Sequence, residues 1–183
     1  MDKRVKVVLC SVAGFLAALV LYIILHEGGH ALVAVLCGAE ITSFSIVSAF
    51  VGYEGGMFTD FSYAMVHVMG SLLPYILSVT YGIFYPPDNK KGLLFKAFSF
   101  GFCVISYSTC LSWVFMPFIY LSGSAPQGED VTKFLDASGL PPVIVSLSAL
   151  LLIVISVCIL FVRKIPQTYA AELKEICTSA KPQ

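Results

Sequence analysis

Residues 21–38 read LYIILHEGGHALVAVLCG, and His26-Glu27-Gly28-Gly29-His30 at the centre is an H-E-x-x-H pattern. On a helix, residues four apart share a face one turn apart. His26 and His30 can therefore aim at one ion, while Glu27 reaches the same side at another height. Two imidazoles beside a carboxylate suit zinc and an activated water. The setting is unusual for that chemistry, because Val7 to Leu25 carry no charged side chain. Ionisable groups at the end of such an apolar run are costly, and at membrane depth they mark functional sites.

The composition points the same way. Of the 183 residues, 58% are hydrophobic and 12% charged, and the mean hydropathy is +0.89. A soluble domain carries about 25% charged residues. The fold class implied is an α-helical polytopic membrane protein, with the lipid bilayer as one partner. The formal net charge is zero and there is no basic stripe, which argues against nucleic acid as a partner. Cys10, Cys37, Cys103, Cys110, Cys158 and Cys177 form no C-x-x-C pair, and most lie in or beside apolar runs. They read as small hydrophobes rather than as a disulfide or zinc framework.

Four apolar segments follow from hydropathy and punctuation: about 5–37, 61–85, 93–121 and 143–162. Each is long enough to cross a hydrocarbon core of about 30 Å. Between the first two, residues 38–60 are rich in Ser, Thr, Val, Ile, Phe and Gly and lack helical periodicity. Ile41 to Val47 roughly alternates, and Gly52, Gly55 and Gly56 supply turns, so a short membrane-associated β-hairpin is expected there. The loop 86–92 and the stretch 122–142 are polar. One membrane-embedded domain over 1–165 and a short cytoplasmic tail over 166–183, with a short surface helix near 170–177, complete the expected organisation.

Charge sets an expected topology. Lys3, Arg4 and Lys6 precede the first segment, Lys90, Lys91 and Lys96 lie between the second and third, and Arg163 and Lys164 follow the fourth. The 122–142 stretch holds Glu129, Asp130 and Asp136 against a single Lys133. By the positive-inside rule both termini and the 86–92 loop are cytoplasmic. The hairpin, the 122–142 stretch and, by depth along their helices, His26, His30 and His67 then share the opposite face.

Two histidines seldom complete a catalytic zinc site, and a third protein ligand is expected. On the residues alone, Asp130, Glu129, Asp136, Glu54, Asp60 and His67 all stand as candidates. Here a resemblance adds to the reading. His26, Glu27, Gly29, His30, Ala31, Ala34 and Gly38 resemble the first signature of the site-2 protease family of intramembrane zinc metalloproteases. MGSLLPYILSV at 69–79 is similar to the family's second motif, with Gly70 in place. GEDVTKFL at 128–135 is similar to its third, in which an Asp completes the zinc site. The resemblance covers roughly residues 20–140 and implies one zinc ion per chain held by His26, His30 and Asp130, with Glu27 as the catalytic base.

The chain departs from that pattern in two places. Val131 stands where the family usually has Gly after the Asp. Pro74 stands where the second motif has an Asn that helps hold substrate or an oxyanion, and the chain's only Asn is Asn89. His67, Ser71 or a backbone N–H is expected to replace it. The function implied is a zinc metalloendopeptidase acting on a membrane-embedded protein or peptide, with Glu27 activating a zinc-bound water. The alternative is a catalytically inactive relative serving as a membrane-helix-binding or metal-binding scaffold. Four spans make a thin shell around a metal, which leaves room for a homodimer or a partner subunit.

Overall fold

The computed structural model describes residues 3–86 and 90–178. Residues 87–89, including Asn89, and the end of the expected tail, 179–183, lie outside the described residues. The first helix, α1 (Lys3–Leu36), has 34 residues, which is about 50 Å of helix. It ends where Gly38 takes a left-handed backbone, φ +83°, as glycine does just past a helix terminus. The Cys37 and Gly38 amides donate to the Val33 and Val35 carbonyls, which closes the last turn.

The chain then forms the expected hairpin. Strand β1 (Ala39–Ser45) pairs antiparallel with β2 (Phe50–Gly55), from Ala39 opposite Gly55 to Ser45 opposite Phe50, with a bulge between Ile41 and Ser43. The Met57 amide donates to the Cys37 carbonyl and ties the end of the hairpin back to α1. Helix α2 (Asp60–Phe84) opens on a reciprocal cap in which the Thr59 and Ser62 side chains each accept from the other's amide.

Helices α3 (Leu93–Ser108) and α4 (Cys110–Leu121) occupy the third apolar segment, which the sequence reads as one run. They part at Thr109. There the hydroxyls of Ser108, Thr109 and Ser112 bond back to the carbonyls of Ile105, Ser106 and Thr109, and such bonds compete with the helical ladder. The short α5 (Asp130–Ser138) is followed by α6 (Pro142–Val162), which has proline in its first turn.

In the stretch expected as a short tail with a helix near 170–177, the helix is longer, α7 (Ile165–Thr178), and it packs on α3. Ile165 is wholly buried. Lys96 donates to Glu172 at 2.6 Å, Tyr85 and Thr168 share a hydrogen bond at 2.9 Å, and Tyr169 donates to Ser11 at 3.0 Å.

In the packing, α1 lies mainly against α3 and α2, α4 against α6, and α5 against α2. The fold is mostly helical, and four stretches are long and apolar enough to cross a membrane: Val5–Leu36, Asp60–Phe84, Leu93–Leu121 and Pro142–Val162. Their outward faces are apolar, and several hydroxyls are buried between them. Val8, Leu9, Leu16, Leu147 and Leu151 are exposed, whereas Ser78, Ser99, Ser106 and Ser156 are fully buried.

Candidate metal centre

The helical stretch through the motif puts His26 and His30 one turn apart on α1, with their Nε2 atoms 3.2 Å from each other. Asp130, the first residue of α5, brings its Oδ2 to 3.5 Å from Nε2 of His26 and 3.3 Å from Nε2 of His30. The three atoms form a near-equilateral triangle. No other group of three His, Cys, Asp or Glu ligand atoms gathers this closely among the described residues.

Two glycines allow the approach. A Cβ on Gly29 would lie 2.1 Å from the Met69 carbonyl oxygen, and one on Gly70 would lie 2.3 Å from Nε2 of His30. Helices α1 and α2 thus meet backbone to backbone beside the imidazoles, and no larger residue fits at either position.

Hydrogen bonding on the outer side of each ligand fixes what its inner atom offers. Nδ1 of His30 lies 2.7 Å from the Val66 carbonyl oxygen. A carbonyl only accepts, so the proton sits on Nδ1, and Nε2 of the neutral ring presents a lone pair. Nδ1 of His26 lies 3.1 Å from the Tyr22 hydroxyl, a partner that suits the same tautomer. Oδ1 of Asp130 accepts from Nδ1 of His67 at 2.9 Å. Three acceptor atoms therefore face one another, an arrangement that a cation relieves. A tetrahedral ion with ligands at about 2.0–2.1 Å spaces its donors by about 3.3 Å, and the triangle fits. Burial alone would raise the Asp130 carboxyl, but the imidazoles of His26, His30 and His67 gathered around it hold it well below the usual carboxylate range.

The triangle opens on a cavity of about 290 Å³ walled by the hairpin residues Phe50, Val51 and Tyr53 and by Glu129 and Lys133. Glu27 lines it and is 4% exposed. Among the described residues, the hydroxyl of Tyr53 and the ammonium of Lys133 have no hydrogen-bond or ion-pair partner. Burial pushes the Tyr53 phenol up, so it stays a donor at neutral pH.

Of the expected site residues, His26, Glu27, His30, Asp130 and His67 come together. Ser71 does not join them. Its hydroxyl accepts from the Trp113 indole at 3.0 Å, and it lines a separate apolar cavity of about 190 Å³ with Tyr75, Phe134 and Ala149. His67 lines the same cavity, with its Nδ1 committed to Asp130. Among the other ligand candidates, Glu129 lines the cavity, whereas Asp136 accepts from the Tyr120 hydroxyl at the surface.

Three contributors went unread in the sequence. Tyr22 was within reach, since residues 22, 26 and 30 repeat at four-residue spacing on one helix face. So was Lys133, three residues after Asp130. Tyr53, on a strand, carried no such mark. In comparison with known proteins, no family model, no curated protein and no solved structure matches this chain.

Proposed function

We propose that this protein is a multi-pass membrane metallopeptidase of the site-2 protease type, binding one zinc ion and hydrolysing a peptide bond in a membrane-anchored substrate. The observation that carries the reading is the meeting of Asp130 with the H-E-x-x-H pair at 3.3 and 3.5 Å, across more than half the chain. The exposed apolar helix faces and buried hydroxyls support a bilayer as the surroundings. In that bilayer the termini and the 86–92 loop are cytoplasmic, and the site lies toward the other face.

His26, His30 and Asp130 hold the ion. Mixed imidazole and carboxylate donors favour zinc over magnesium or calcium, which take oxygen ligands. A bound zinc ion supplies Lewis acidity, acidifying water and polarising a carbonyl. Glu27, buried at the cavity wall, takes the proton from water entering the cavity and returns it to the leaving amine. Tyr53 and Lys133 are the free donors that the cavity offers to an oxygen gaining negative charge. They stand in for the missing amide at Pro74. A scaffold would have no use for a carboxylate buried beside its metal ligands, so Glu27 favours the enzyme over the inactive alternative.

The test is a comparison of wild type with Glu27→Gln, each reconstituted with membranes and followed by mass spectrometry of newly formed peptide termini. New termini that appear only with wild type are expected. Identical profiles would remove the catalytic reading. Metal analysis runs alongside: about one zinc per chain is expected in both proteins, and its loss in His30→Ala.

A further inference from the structure

Asp130 is the only member of the triangle that does not belong to α1, and nothing in α5 itself fixes its carboxylate. The residue opens a nine-residue helix whose N-cap, Glu129, makes no side-chain capping bond. Its outer oxygen is held instead from α2, by Nδ1 of His67 at 2.9 Å. An ionised carboxylate only accepts, so the shared proton belongs to the imidazole.

His67 is 5% exposed, and its Nε2 has no hydrogen-bond partner among the described residues. The bond to Asp130 is thus the whole of its side-chain hydrogen bonding. The rings of Tyr63, edge-on at 4.7 Å, and of His30, at 6.2 Å, set the plane of the imidazole. A residue present only to fill that space would cost less to bury if it were apolar.

We propose that His67 is the positioning residue of the metal centre. It grips Oδ1 of Asp130 so that Oδ2 stays turned toward His26 and His30, which makes α5 a working part of the ion site. This rests on the reading of the triangle as a zinc site. Outer hydrogen bonds of this kind orient ligands, and losing one weakens metal affinity by about 10–100-fold. The specific atom can be tested, because the amide nitrogen of Asn falls near the place of Nδ1, and that of Gln near Nε2.

The experiment uses the full chain in detergent. Zn²⁺ affinity is measured by competition with a chromophoric chelator, and the site is probed by the visible absorption of added Co²⁺. His67→Ala is expected to weaken Zn²⁺ binding by about 10–100-fold and to alter the Co²⁺ bands. His67→Asn is expected to restore both, and His67→Gln is not. Wild-type affinity in His67→Ala, or equal rescue by Asn and Gln, would overturn the proposal while leaving the metal site standing. A wild-type chain that binds no Zn²⁺ would overturn the metal reading and this proposal with it. If His67→Ala fails to fold, judged by circular dichroism, the comparison of Asn with Gln decides alone.

Discussion

Glu27 and Asp130 are carboxylates in one cavity, and their neighbours give them different work. Three imidazoles converge on Asp130 and none is recorded as bonding Glu27. Replacing Glu27 with Gln should therefore leave zinc content unchanged and lower cleavage by about 10²–10⁴-fold, read from metal analysis and from the appearance of new termini. Acidity should separate two further events. Metal release follows protonation of the ligands, for which the proton and the ion compete. The Asp130 carboxyl is depressed in the fold, so the stabilisation it contributes is present above its unfolded value of about 3.9 and is lost only as pH falls through the lower folded value. Trp113, the chain's only tryptophan, packs edge-on against Phe134 of α5 at 5.2 Å and reports whether that helix is docked. As pH falls, the Co²⁺ absorption should be lost before Trp113 emission changes. Emission that shifts together with the metal signal would contradict this.

At the scale of elements, the crossing of α1 and α2 is set by adjacent glycines with opposite tolerances. Nothing lies within 4 Å of a Cβ on Gly28, whereas one on Gly29 would strike the Met69 carbonyl. Gly28→Ala should raise stability by up to about 1 kcal/mol, the difference in helix propensity. Gly29→Ala should force the helices apart and, on the proposed reading, abolish zinc binding. Thermal melting and metal content of the two purified variants check the pair. The same elements show what could be read in advance. The four apolar stretches and the hairpin were legible because hydropathy, alternation and glycine placement are local. The parting at Thr109 was not, since hydroxyl side chains inside an apolar run leave the hydropathy pattern intact. The docking of α7 depends on Lys96, Tyr85 and Ser11, all distant in sequence. His26, Glu27 and His30 were legible from spacing alone, and Asp130 came from a resemblance rather than from geometry. The task of His67 could not be read, because it exists only where α5 lies on α2.

For the whole molecule, the arrangement of charge and apolar surface makes a sidedness prediction. Val47, at the tip of the hairpin, is fully exposed, and Cys177 is exposed on α7. In sealed vesicles, a membrane-impermeant thiol reagent should label Val47→Cys or Cys177, never both from one side. Labelling of both from one side would mean that the three candidate spans between them, in α2, α3–α4 and α6, do not all cross. The Lys96–Glu172 pair, at 2.6 Å, with Lys96 8% exposed, fastens α7 to the bundle. Lys96→Met should cost about 3 kcal/mol or less, since Glu172 keeps partial access to water, and a lowered melting temperature in detergent would show it.

The length of α1 has a consequence for how a substrate is met. At 1.5 Å per residue, the rise from Lys6 to His26 is about 30 Å, the thickness of a lipid hydrocarbon layer. In the proposed bilayer, an upright α1 would bring the imidazoles to the far edge of that layer, with the hairpin beyond them. On the proposed reading, water would then arrive by wetting, without a tunnel. A tethered substrate would need to unwind only where it surfaces, and the bond at risk would be one near the rim of its anchor, not one sunk at the midplane.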